Sequence, residues 1–100
     1  MRRIIEKNLQ TIRKILTENR VKQAYLFGSS SGTGYTGDSD VDIVISFEEN
    51  LDPLVRGEMW WNIYFGLEDV LKLPIDLIAA DTVHNPYLKK SIEESKVPLL

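Results

Sequence analysis

The feature that most constrains this chain is a small-residue loop between two apolar runs. Residues 24–27 are apolar, and residues 43–45 are apolar again. Four of the six glycines fall in the loop between them, at Gly28, Gly32, Gly34 and Gly37. Short apolar runs bounded by turn residues are typical of buried strands. The pattern therefore predicts strands at residues 22–27 and 41–47, joined by the glycine-rich loop.

Two acids open the second predicted strand. Side chains alternate along a strand, so Asp40 and Asp42 point to the same side. Two neighbouring carboxylates repel each other unless a cation lies between them, and hard divalent cations such as Mg²⁺ and Mn²⁺ prefer oxygen ligands. Loop glycines let backbone N–H groups approach phosphate oxygens, and Ser29 adds a hydroxyl donor. The stretch indicates a metal–phosphate site. The alternative is an ordinary turn beside a hairpin loop.

The same stretch resembles the motif of a known superfamily. Gly28-Ser29 is followed, ten positions after the serine, by Ser39-Asp40-Val41-Asp42. This spacing is similar to the Gly-Ser and Asp-x-Asp pattern of the polymerase-beta-type nucleotidyltransferases. The chain looks most like their minimal nucleotidyltransferases, and the likeness extends over most of its length. One departure is that Ser31-Gly32-Thr33 stands where the family commonly has Ala-Arg-Gly.

A third acid lies in a later apolar run. Residues 74–78 predict a third short strand, and Asp76 interrupts it. A carboxylate among buried neighbours is costly unless it is paired or bound to a metal. In the family a third acid lies on the strand beside the Asp-x-Asp strand, and Asp76 matches that position. The alternative is that Asp76 faces solvent on a half-exposed strand.

The resemblance implies a fold and a chemistry. Helix, strand, loop, strand, helix, strand and helix in that order predict an α/β fold, with a small mixed sheet packed by helices mostly on one face. The length predicts one domain over residues 1–100. The implied reaction transfers a nucleotide, with ATP as substrate and Mg²⁺ or Mn²⁺ as cofactor. Its implied catalytic and metal-binding residues are Asp40, Asp42 and Asp76, and its implied phosphate-binding residues are Gly28, Ser29 and Ser39.

The resemblance also implies a partner. Minimal nucleotidyltransferases often pair with a helical HEPN-domain toxin, which the small chain neutralises by binding it, by adenylylating a tyrosine, or both. The missing motif arginine leaves open a second function, a catalytically silent module that sequesters the partner. Transfer to a small molecule usually needs an added acceptor-binding domain, for which this chain has little sequence.

Two amphipathic helices are predicted from apolar spacing. Residues 2–19 carry one apolar stripe, and residues 53–71 carry two. The second stripe of the longer helix consists of Leu54, Trp61 and Phe65. It is a candidate contact surface for a partner protein or a second copy of the chain. The alternative is that the sheet and the first helix cover both stripes.

Composition narrows the remaining choices. A net charge of −3 argues against general nucleic-acid binding, which needs a basic surface. The sequence has no apolar run of about 18 residues or more and therefore predicts no membrane span. The first residues, MRRIIEKNLQ, predict no signal peptide. The absence of cysteine fits a cytoplasmic protein.

Overall fold

A computed structural model describes residues 3–27 and 41–100 of the chain. The elements of its first half are α1 (Arg3–Lys7), α2 (Leu9–Glu18), β1 (Val21–Leu26) and β2 (Val41–Phe47). The elements of its second half are α3 (Pro53–Leu71), β3 (Ile75–Ala79), α4 (Pro86–Ser95) and β4 (Val97–Pro98). Within the described ranges no helix is long and apolar enough to cross a membrane.

The strands form one mixed sheet in the order β3-β2-β1-β4. The β1 strand runs antiparallel to both β2 and β4, whereas β2 and β3 are parallel. Apolar side chains of α1, α2 and α3 pack together with alternate residues of β1, β2 and β3, so these helices cover one face. On the other face Ile92 of α4 packs with Val44 and Val83. The predicted α/β fold with a small mixed sheet is confirmed.

The N-terminal helix differs from the sequence prediction. It is two helices, because the chain breaks at Asn8 between α1 and α2. The Asn8 side chain donates from Nδ2 to the carbonyl of Ile4 at 2.8 Å, and its backbone N–H bonds to Ile5 rather than Ile4. Asparagine side chains compete for backbone partners in this way. The apolar stripe continues through the break, since Ile5, Ile12 and Leu16 are all fully buried.

The bounds of α3 follow from local chemistry. The Asp52 side chain accepts a hydrogen bond from the N–H of Leu54 at 2.8 Å, and Pro53 occupies the first turn. The helix ends at Lys72, whose φ of 56° lies in the left-handed region, just before Pro74. The predicted span of residues 53–71 is confirmed. This helix crosses the buried face of the sheet and holds the second half of the chain against α2.

The C-terminal tail is tied to the sheet. Leu99 is fully buried, and its N–H donates to the carbonyl of Ala24 at 2.8 Å. The Nε of Arg13 donates to the carbonyl of Leu99 at 2.8 Å. The predicted apolar tail is therefore both a short strand and a clamp on the core.

Candidate functional site

Asp42 and Asp76 are register partners on neighbouring parallel strands. The pairing of β2 with β3 places the Cα of Asp42 opposite that of Asp76, next to the Ile43–Leu77 pair. Ile43 and Leu77 both enter the core beneath the sheet. Because side chains alternate, Asp42 and Asp76 both project from the opposite face. Neighbouring strands lie about 4.8 Å apart, so the two carboxylate-bearing side chains start from adjacent backbone positions.

Both ends of the glycine-rich loop meet this same edge of the sheet. The N–H of Phe27, the last described residue before the loop, donates to the carbonyl of Asp42 at 3.2 Å. Where the chain re-enters the sheet, the N–H of Val41 donates to the carbonyl of Pro74 at 2.9 Å. Four predicted site residues in the loop lie outside the described ranges: Gly28, Ser29, Ser39 and Asp40. Their neighbours in sequence nevertheless flank the Asp42–Asp76 pair.

The two acids differ in how far their side chains are exposed. Asp42 is half-buried, whereas Asp76 is exposed. Asp76 therefore has no large desolvation cost, and burial gives no reason for its carboxylate to be paired or bound to a metal. Among the described residues no three acids or histidines cluster around a common point, and Asp40 is not among them. The roles assigned to the three acids remain predictions.

A groove lies on the same face of the sheet, beginning at Val44, two residues along β2 from Asp42. Val44 and Ser46 follow Asp42 at alternate positions of β2, and Tyr25 lies beside them on β1. Together with residues of α4 they enclose about 350 Å³. Small-molecule sites in proteins begin at about this size, and they combine an apolar lining with a few polar groups. The groove has both, since Val44 and Ile92 line it together with Gln23 and Lys96.

Lys96 is a feature of this groove that sequence reasoning missed. Its Nζ lies 4.7 Å from the centre of the Tyr25 ring and 2.9 Å from Oε2 of Glu93. The hydrogen bond with the Glu93 carboxylate raises the pKa of Lys96 above its usual value. The groove therefore contains a Lys96–Glu93 ion pair on the face that carries Asp42 and Asp76. No local motif could have indicated it, because the contact joins residues far apart in sequence.

A second cavity, of about 430 Å³, lies at the opposite end of β2. Its basic residues are engaged: Arg56 pairs with Asp81 and lies over the Phe47 ring, and Lys22 pairs with Glu49 at 3.6 Å. This cavity is separated from Asp42 by the length of the strand. Arg56 thus joins α3 to Asp81 after β3 and to Phe47 of β2, and the Lys22–Glu49 pair joins β1 to the turn after β2, which are structural roles.

The second stripe of α3 is exposed. Leu54, Trp61 and Phe65 expose 85%, 54% and 59% of their surface. The first stripe is buried at Ile63, Leu67 and Leu71, which pack on the sheet. The alternative that the sheet and the first helix cover both stripes is therefore wrong. His84 is also exposed, as a residue in a polar loop is expected to be.

Comparison with known proteins gives the family. The model of the polymerase beta nucleotidyltransferase family matches residues 10–100. A candidate protein adenylyltransferase of Methanocaldococcus jannaschii is 40% identical over 94 residues, covering 93% of this chain and 92% of the relative. These matches include the strand with Asp42 and the strand with Asp76.

Solved structures share the fold. A toxin–antitoxin complex with AMP-PNP contains a chain of TM-score 0.72 and 25% identity, with 93% of this chain and 73% of that chain covered. A chain in the structure of a tri-AMPylated Shewanella oneidensis HEPN toxin in complex with MNT antitoxin matches with a TM-score of 0.63 and 24% identity. The match covers 95% of this chain and 71% of that chain. The chain belongs to the polymerase-beta-type nucleotidyltransferase family.

Proposed function

We propose that this nucleotidyltransferase transfers AMP from ATP to a tyrosine hydroxyl of a HEPN-type partner and thereby acts as an antitoxin. The curated relative is described as a candidate protein adenylyltransferase. Structural relatives include a toxin–antitoxin complex with AMP-PNP and an AMPylated HEPN toxin bound by its antitoxin. These relatives support a nucleotide substrate and a protein acceptor for this chain.

The observation that carries the proposal is the Asp42–Asp76 pair. Two carboxylates on adjacent strands, facing the same way, offer oxygen ligands of the kind that a hard divalent cation prefers. With Asp40, two positions before Asp42, they would hold Mg²⁺ or Mn²⁺. When bound, the ions would neutralise phosphate charge and polarise the acceptor hydroxyl.

The chain's own residues would position the reactants. Backbone N–H groups at Gly28 and Ser29, with the hydroxyls of Ser29 and Ser39, would bind the phosphates beyond the α-phosphorus. The acceptor oxygen then attacks in line. Its bond to the α-phosphorus forms as the bond from the α-phosphorus to pyrophosphate breaks. Asp76 would accept the hydroxyl proton in this scheme, or serve as a further ligand of the ion.

The groove on the same face suits the nucleoside half of ATP. Val44 lies two residues from Asp42, which is about 7 Å along a strand. The groove therefore begins near the acids that would hold the phosphates and extends away from them. Its apolar lining suits a planar base, and Gln23 and Ser46 offer hydrogen bonds to the ribose or the base edge.

The departure from the family motif at residues 31–33 favours a second candidate function. The triplet Ser31-Gly32-Thr33 lacks the arginine that the family commonly has within the motif. Without that charge the triphosphate is bound less tightly, and the chain would then neutralise its partner by sequestration alone. The presence of Asp40, Asp42 and Asp76 together favours the enzyme. We further propose that residues 1–100 act as one domain in the cytoplasm. We also propose that the chain does not act on nucleic acid, because its net charge is −3.

The test is transfer of label from ATP that is radioactive at the α-phosphate. The purified chain is incubated with Mg²⁺ and a HEPN-domain protein as acceptor, and the products are separated by gel and mass spectrometry. We expect label on a partner tyrosine, lost with Asp42→Asn or Asp76→Asn and retained with Asp69→Asn, an exposed acid of α3. A stable complex that acquires no label would support the sequestering module instead.

A further inference from the structure

The exposed stripe of α3 is continuous, because Gly57 lies in line between Leu54 and Trp61. Leu54, Gly57, Trp61 and Phe65 are spaced by three, four and four residues, which aligns them on one side of the helix. The rings of Trp61 and Phe65 stack, with centroids 5.5 Å apart. Exposed aromatic residues in a contiguous row are common at protein interfaces and rare elsewhere on surfaces.

Gly57 adds an independent observation. It lies in the middle of a helix, where glycine is unfavourable. A Cβ at this position would meet no atom within 4 Å, so packing within the chain does not require glycine there. Glycine between Leu54 and Trp61 does leave a shallow site in the stripe. A second helix could approach the backbone closely at that point.

Charges on the same surface exclude one occupant. Glu58 and Glu68 are exposed and lie along the stripe. Two copies packed through this stripe would bring four exposed glutamates, Glu58 and Glu68 of each copy, into one interface. Like charges brought together at an interface are unfavourable.

We infer that the α3 stripe docks a helix of a different protein, one with an apolar face flanked by lysine or arginine. Trp61 and Phe65 are the anchors, Gly57 is the point of closest approach, and Glu58 and Glu68 pair with the basic flanks. The inference rests on the proposed function for the existence of a protein partner. The chemistry of that partner follows from α3 alone.

The experiment measures binding without nucleotide or metal, so that failure of catalysis does not affect it. The probes are two synthetic amphipathic helical peptides with the same leucine face, one flanked by lysine and one by glutamate. Binding is followed through the fluorescence of Trp61 in a Trp60→Phe background. We expect a blue shift with the lysine peptide, at an affinity about tenfold or more above that for the glutamate peptide.

Two variants separate docking from folding. Gly57→Gln fills the shallow site with a better helix former, so we expect its melting temperature to rise while peptide affinity falls about tenfold. The charge reversal of Glu58 and Glu68 to lysine should invert the peptide preference. Equal affinity for both peptides, no fluorescence change, unaltered binding by Gly57→Gln, or self-association of the chain in sedimentation would each overturn the inference.

Discussion

The Nε of Arg13 in α2 donates to the carbonyl of Leu99 at 2.8 Å, joining residues 86 positions apart. This bond and the fully buried Leu99 side chain attach the tail to the core. We expect Leu99→Ala to lower the free energy of unfolding by about 2–4 kcal/mol, since truncating a buried leucine leaves a cavity. Urea denaturation measures the change. Leu100→Ala, at a half-buried neighbour, should cost less than half as much, and equal costs would contradict the clamp.

The two glycines of α3 form a matched pair. A Cβ at Gly66 would lie 3.3 Å from Cγ2 of Ile15, whereas one at Gly57 would meet nothing. Alanine improves helix propensity by about 1 kcal/mol at either site, but at Gly66 the Ile15 side chain must also move. We expect Gly57→Ala to raise the free energy of unfolding and Gly66→Ala to raise it less or lower it. A larger gain at Gly66 would show that α2 and α3 are not closely packed there.

Tyr64 should titrate at high pH because of a neighbour on its own helix. Its hydroxyl donates to the Glu68 carboxylate, which raises the pKa of Tyr64 above its usual value of 10.0. Because the pKa of Tyr64 is higher in the folded than in the unfolded state, the hydrogen bond contributes its full stability at pH values below the unfolded-state pKa. That contribution is lost as the pH rises through the folded-state pKa. In an absorbance titration of tyrosinate, Glu68→Gln should lower this pKa. An unchanged titration would show that the bond does not form.

Lys96 tests the assignment of the groove to the nucleotide. Removing its charge with Lys96→Met should raise the KM for ATP about tenfold, equivalent to about 1.4 kcal/mol, with a smaller change in kcat. Lys90→Met is the control, because Lys90 lies on α4, the helix that Lys96 directly follows, but pairs with Glu94 on the surface. Steady-state kinetics with both variants distinguish the possibilities. If the KM for ATP is the same in the Lys96→Met and Lys90→Met variants, the nucleoside lies outside the groove.

Local chemistry made much of the fold predictable. Asp52-Pro53 begins α3 and Asn85-Pro86 begins α4, each a capping residue followed by a proline of the kind that favours a helix start. The apolar run at residues 41–47 is β2, as the sequence predicts. The break at Asn8 was not predictable from periodicity, because the apolar stripe continues through it. It depends on a side-chain hydrogen bond that competes with the helix.

The candidate site was predictable as a set of residues but not as an arrangement. Residue types and spacing indicated Asp42 and Asp76, yet their register depends on the parallel pairing of strands separated by α3. The Lys96–Tyr25 contact likewise depends on where α4 packs. Long-range relationships of this kind arise from tertiary packing, which neither motif spacing nor helical periodicity encodes.

The most direct measurement of the central claim is the thermal stability of the chain with Mn²⁺ and a non-hydrolysable ATP analogue. Ligand at about 100 times its Kd should stabilise the fold by about 2.7 kcal/mol, which raises the Tm by roughly 10 °C or more for a domain of this size. Asp42→Asn and Asp76→Asn should each abolish the rise, measured against the Tm of the same variant without ligand. A Tm in the native chain that does not respond, or that rises equally in both variants, would contradict a nucleotide–metal site at this pair.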